Sequence, residues 1–370
     1  MTPKRETALD WLRVLATVAI FVFHSGSPFV PWTWHFSSAS KSQFVTVLGS
    51  FLLLWSMPIL FVISGISTAL ALDTRTKKRF LADRVRRLLI PLIFGCLVIV
   101  PPQVYIERIS RGQFTGSFLA FYPHYFNAPY LEIGGTGNFA WMGLHLWYLL
   151  MLMLITIVTM PLLGPIRRIF ANTAFLKPDA GDTASLAFII VGPILMLALI
   201  EAALGPHGLG GWNMLTYPVY FLLGYGLATR PDLRTVLQNL ARFAIIPAAI
   251  SSYILLNAAL QRNFTDPQPL GASVLHATAG WCWVLTLLGT GQTFLGHRSG
   301  GLKYFNDLVL PFYILHQTFI VIFAYLVDGW STSAVYKFGI ILLLAALASV
   351  ITYEALIRRY AWIRPLFGLR

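Results

Sequence analysis

Apolar residues in this chain gather into runs of about twenty, divided by short polar or basic stretches. A helix rising 1.5 Å per residue needs about 20 such residues to cross the hydrocarbon core of a bilayer. On that template the pattern predicts ten membrane-spanning helices, at residues 9–29, 44–72, 88–105, 142–163, 185–204, 212–229, 241–260, 272–295, 308–327 and 335–357. The second is longer than a bilayer requires and holds Pro58 and then Ser64-Gly65, a combination that predicts a kink with freed backbone polar groups. The longest connection, residues 106–141, is too short and too Gly-rich to bury a core of its own. Residues 1–370 therefore read as a single transmembrane domain with no separate soluble one. The two halves show no convincing internal repeat, which weakens the reading as an inverted-repeat transporter.

Composition supports the same picture: 57% of residues are hydrophobic and 11% charged, against roughly 25% charged in an ordinary soluble domain. The formal net charge of +13 is unevenly placed. Lys77, Lys78, Arg79, Arg84, Arg86 and Arg87, then Arg167 and Arg168, Arg230 and Arg234, Arg298 and Lys303, and finally Arg358, Arg359 and Arg364 fall on alternate connections, on the side of Lys4 and Arg5. The other side carries Lys41, Arg108, Arg111 and Arg262, so the positive-inside rule places both termini in the cytoplasm. Short juxtamembrane basic loops with no nucleic-acid-binding motif between them exclude nucleic acid as the partner. The first run lacks a small-residue cleavage site and includes Asp10 and Arg13, which fits a retained helix better than a signal peptide. Cys96 and Cys282 lie in different spans and form neither a disulfide framework nor a metal-ligand spacing.

Ionisable groups inside spans are costly unless they face a polar interior. Arg13 and His24, eleven residues apart on the first helix, differ by about 20° in azimuth and about 16 Å in height, so they share one face. Arg13 reads either as a snorkelling anchor or as a fixed cation of a site, and His24 either as an interfacial histidine or as a general base. His24, His35, His124, His145, His207 and His276 all fall at or near the outer ends of spans, without the spacing of a zinc site. Tyr313 and His316 project from one face midway along the ninth span, beside Pro311, as an interhelical hydrogen-bonding pair or a part of the chemistry. Glu201 and Glu354 lie near span ends, where a coupled pump would want a central carboxylate. Arg84, Arg86 and Arg87 before Pro91 suit the phosphates of a ligand arriving from the cytoplasm, or equally anionic lipid. No Walker or dinucleotide-binding glycine motif is present. In the outer loop, Phe114, Phe118, Phe121, Tyr122, Tyr125, Phe126 and Tyr130 beside Gly134, Gly135 and Gly137 read as an interfacial aromatic belt or as a lid over an acceptor site.

Taken together, Leu9-Asp10-Trp11-Leu12-Arg13 with His24, the stretch from Pro58 to Gly65, Arg84 and Arg87 before Pro91, His145-Leu146-Trp147-Tyr148-Leu149 and Tyr313-Ile314-Leu315-His316 resemble the membrane acyltransferase family 3. The match runs through most of the chain. Trp32-Thr33-Trp34-His35 and the tail from Tyr353-Glu354 to Phe367 add similarity to the subgroup associated with succinyl substitution of periplasmic glucans. The resemblance implies an all-α polytopic protein of a bacterial inner membrane. It further implies acyl-CoA as donor substrate, no permanently bound cofactor or metal, and a hydroxyl of an extracytoplasmic glycan as acceptor, with succinyl or acetyl as the group moved. It places catalysis on His24 and Arg13 and acyl-CoA binding on Arg84, Arg86 and Arg87, with His35, His145, Trp147, Tyr313 and His316 in support. Tyr313, His316 or Trp147 would stabilise the oxyanion. Direct transfer and a covalent acyl-histidine stay open, as does a transporter or flippase that moves an acyl or glycan precursor without chemistry.

Overall fold

The computed structural model describes residues 7–172, 183–205, 209–229, 233–261, 270–296 and 300–369. Among them the regular structure is helical, with one isolated β-bridge between Pro129 and Phe139. The helices in order are α1 (Thr7–Gly26), α2 (Gln43–Leu72), α3 (Lys77–Ser110), α4 (Phe118–His124), α5 (Trp147–Thr159), α6 (Leu163–Asn172), α7 (Thr183–Leu204), α8 (Thr216–Ala228), α9 (Leu233–Gln261), α10 (Leu270–Phe294), α11 (Leu302–Val327) and α12 (Ala334–Thr352). Helices are what such apolar runs must form, because inside a bilayer each backbone N–H and C=O has to be satisfied within its own segment.

Seven helices are long and apolar enough to cross a membrane, or eight when α5 and α6, bent by 77° at their junction, count as one broken span. The other two expected spans are helical but short over the described residues: Ile189–Leu204 within α7, and α8 with 13 residues. The helix α2 runs its full 30 residues through Pro58, and the Ser64 carbonyl accepts from the Thr68 hydroxyl at 2.7 Å. Proline removes one N–H, and no bulk water is at hand to open the helix at the missing bond.

The described residues cluster into two compact units, one of residues 7–20, 50–80 and 155–302, the other of residues 21–49, 81–154 and 303–369. In the first unit α2 and α8 touch backbone to backbone. A Cβ on Gly65 would run into the carbonyl oxygen of Phe221, and one on Gly224 into that of Val62, which is the use of small residues that lets membrane helices approach closely. Buried Glu201 accepts from the Asn213 backbone N–H at 2.8 Å and faces His276 at 3.6 Å, with the Trp212 indole stacked on that imidazole at 3.8 Å.

The second unit is built on a core that includes Phe21, Phe29, Trp34, Phe36, Ile106, Ile320 and Ala324. Within it α3 is interrupted by two π turns, Val85–Leu89 and Gly95–Ile99, each adding a residue to the helical turn. Side chains occupy carbonyls of the second: Tyr125 donates to Cys96 O at 2.7 Å, Tyr122 to Leu97 O at 2.9 Å and Thr318 to Ile99 O at 2.7 Å. Gln317 donates to Gln103 and Gln103 to Thr318, completing a buried polar ladder between α11 and α3. The chain's last turn, Arg364–Phe367, packs beside the first π turn, with Phe367 edge-on to Phe94 and Gly368 against the Arg87 carbonyl.

Candidate active site

Three histidines distant in sequence meet inside the second unit. His24 comes from the last turn of α1, His316 from α11 next to the polar ladder, and His145 from the short turn Leu144–Leu146 ahead of α5. That turn is conformationally strained. Gly143 takes a left-handed φ of 78° where a side chain would collide with Leu146 Cβ at 2.8 Å, and Leu144 follows at φ 50°. A left-handed leucine costs free energy that the surrounding packing must hold, and such residues concentrate at functional sites.

The hydrogen bonds assign the protons of His316 and His24. His316 Nδ1 lies 2.7 Å from the carbonyl of Tyr313 and 3.2 Å from that of Phe312. A carbonyl only accepts, so this nitrogen carries the hydrogen and His316 Nε2 is the acceptor. His24 Nδ1, 2.9 Å from His316 Nε2, must then be the donor, which leaves the lone pair of His24 on Nε2. His316 is buried and His24 keeps partial exposure, so the buried ring orients the accessible one. The two rings are nearly parallel, with centroids 5.2 Å apart. His145 stands edge-on to both, at 5.2 Å from His316 and 6.4 Å from His24. Tyr313 donates its hydroxyl to the His145 carbonyl, and with both donors committed to backbone oxygens neither Tyr313 nor His316 has one left for an oxyanion. Trp147, at the start of α5, is buried.

His35 belongs to a neighbouring network. Its Nδ1 lies 2.7 Å from Glu107 Oε2, a carboxylate with no exposure that also accepts from the Tyr130 hydroxyl at 2.8 Å, the Gly134 N–H at 2.7 Å and Arg108 Nη1 at 3.3 Å. Arg108 is held in turn by Asn138, Gln113 and the Gly137 carbonyl. Burial and the adjacent Glu107 push the Tyr130 hydroxyl above the usual tyrosine range, so it remains a donor. Glu107 went unnoticed in the sequence, although an acid inside an apolar helix is the signal that could have found it. His35 is within electrostatic reach of both His24 and His145.

The remaining sequence-predicted residues are not among the contacts of this cluster. Arg13 belongs to the first unit, where its guanidinium donates to Asp10 at 2.9 Å and to Ser67 at 3.2 Å. His276 is in that unit as well, while His124 packs against Phe114 in the outer loop. His207 falls outside the described residues. Arg84, Arg86 and Arg87 sit at the first π turn, Arg84 half-buried and the other two exposed. The loop aromatics chiefly cover one another: Phe114, Phe118 and Phe121 pack round Tyr105, and Tyr122, Tyr125, Phe126 and Phe139 stack in sequence. Among the described residues no set of three or more His, Cys, Asp or Glu side chains is disposed to hold a metal ion.

A multi-pass helical membrane protein with an oriented imidazole inside it has the attributes of a membrane-embedded group-transfer enzyme. Residues 6–354 match the acyltransferase domain, and the chain belongs to that acyltransferase family. It is also similar to the glucans biosynthesis protein C of Salmonella schwarzengrund strain CVM19633, at 24% identity over 369 residues, covering 96% of this chain and 92% of the relative. The proteins of the same description from Salmonella heidelberg strain SL476 and Salmonella agona strain SL483 match at 24% identity over 371 residues with the same coverage.

Proposed function

We propose that this protein is an O-acyltransferase of the bacterial inner membrane. It moves an acyl group, succinyl or acetyl, from cytoplasmic acyl-CoA to a hydroxyl of an extracytoplasmic glycan such as a periplasmic glucan. The observation that carries the reading is the hydrogen-bond chain from His24 through His316 to the Tyr313 carbonyl, because it leaves a bare Nε2 lone pair on the accessible ring. The relatives' names point to the glucan, and the basic inner connections support a topology with both termini in the cytoplasm.

In this mechanism Arg84, Arg86 and Arg87 attract the phosphates of the donor, whose thioester enters the bundle. The acceptor hydroxyl lies on His24 Nε2, which takes its proton as the oxygen attacks the thioester carbonyl carbon. The carbon–sulfur bond breaks, and the thiolate recovers the proton from the imidazolium. His316 accepts the His24 Nδ1–H throughout and so stabilises the transient positive charge. The same lone pair could attack the thioester itself, and trapping an acylated protein in a single turnover without acceptor separates that route from direct transfer.

The test is purified protein in detergent with labelled acyl-CoA and glucan, where ester formation needs no compartments and a transporter yields no ester. His24→Ala should lower the rate by about 10²–10⁴-fold while retaining a folded protein by size-exclusion profile. Ester formation by that variant at the wild-type rate would overturn the assignment.

A further inference from the structure

The mechanism above gives His145 no task, yet its imidazole is the least settled polar group in the cluster. The ring is 4% exposed, and Nε2 lies 3.1 Å from the carbonyl of Ile314. That carbonyl can only accept, so Nε2 carries the hydrogen and Nδ1 presents a lone pair. Nδ1 is fully buried and has no hydrogen-bond partner among the described residues. An unpaired buried acceptor is a standing cost to the fold, and in a native site it marks a place where another molecule donates. The strained Gly143-Leu144 turn holds the ring there.

The surroundings define what that molecule must be. His24 Nε2 is a lone pair. His35 is paired through Nδ1 with Glu107. The donors nearby are turned elsewhere: Arg108 to Glu107, Asn138, Gln113 and Gly137, Arg111 to the Trp34 carbonyl, and Tyr130 to Glu107. The two bare imidazole acceptors of His24 and His145 complement a ligand with neighbouring O–H groups. We propose that His145 is a positioning residue whose Nδ1 accepts a hydrogen bond from a second hydroxyl of the acyl acceptor, near the one held by His24. The enzyme thereby selects polyols with neighbouring hydroxyls over simple alcohols. This rests on the acyltransfer reading and adds to it a specificity determinant.

The test compares methyl glucopyranoside with its mono-deoxy analogues as acceptors, using the purified protein and labelled succinyl- or acetyl-CoA. Wild type should lose about 10- to 100-fold in kcat/KM on the analogue that lacks the partner hydroxyl. In His145→Leu the parent sugar should fall to the level of that analogue, so that the difference between them shrinks to less than about 3-fold. His145→Asn, whose amide oxygen can stand near the Nδ1 position, should retain part of the discrimination and serves if the leucine variant misfolds. Undiminished discrimination in His145→Leu would overturn the proposal. So would an equal loss on every acceptor, the pattern of a structural histidine or of one bonded to a water alone. If wild type forms no ester with any acceptor, the acyltransfer reading fails instead. Thermal shifts with the same sugars then decide on His145, a parent-specific shift lost in His145→Leu supporting it and an unchanged shift, or no shift, refuting it.

Discussion

His316 governs what His24 can do. A neutral imidazole has one donor and one acceptor, and by fixing its own donor on the Tyr313 carbonyl His316 forces His24 to donate from Nδ1 and keep Nε2 bare. His316→Ala should therefore lower kcat by about 10²-fold or more with little change in KM for acyl-CoA, and His316→Gln, whose amide oxygen can accept from Nδ1, should retain more; steady-state ester formation checks both. His24 and the Tyr313/His316 pair were each legible in the sequence as polar groups in apolar helices. Their pairing was not, because they lie 292 residues apart and neither flank carries any trace of the other. Arg13 shows the converse. The helical spacing aligned it with His24, yet its guanidinium is engaged by Asp10 one turn earlier and by Ser67, contacts that helical spacing alone does not report.

Between residues and the whole lies the outer loop, tied to α3 by the buried Glu107. Removing one partner of a buried hydrogen-bonded charge pair leaves the other exposed to a low dielectric, so Glu107→Gln should destabilise the protein by about 3–5 kcal/mol, measured by thermal or denaturant unfolding in detergent. Tyr125 and Tyr130 contribute a pH dependence. Burial raises both above the ordinary tyrosine value of 10.0, so the folded loop favours the neutral phenol. That contribution is complete below about pH 10 and is lost as the pH rises through the folded values. Hydrogen exchange in residues 111–143 should accelerate in strong alkali, and less steeply in Tyr130→Phe. Composition marked this segment as aromatic and Gly-rich, but whether the rings faced a ligand or one another depended on contacts with the Cys96 and Leu97 carbonyls, which lie in the underwound π turn of α3. Pro58 does not interrupt α2, since a helix with no water beside it tolerates the one bond that proline removes.

Across the whole molecule, hydropathy located every long helix, although α3 and α9 begin 11 and 8 residues ahead of the expected spans because their first turns are basic and polar; the expected span at 142–163 is bent between α5 and α6, and α8 is short. Charge placement yields an expectation of its own. Arg84→Gln and Arg87→Gln should each raise KM for acyl-CoA by about tenfold and make it less sensitive to salt, with kcat nearly unchanged; kinetics at several ionic strengths read this directly. Reporter fusions at both ends of the chain should score as cytoplasmic. The two π turns in α3 carry a consequence for how such a sequence can vary. Each inserts a residue into the winding, so the helix acts as a phase-locked shaft between Arg84 and Glu107. Deleting one codon from the regular α-helical stretch that follows them, Pro101–Ser110, ahead of Glu107, where no wide turn absorbs the loss, would turn everything beyond it by about 100°. Glu107 would swing off His35 although neither residue had been altered. Outside its two wide turns, the permitted changes in this helix are exchanges of side chain.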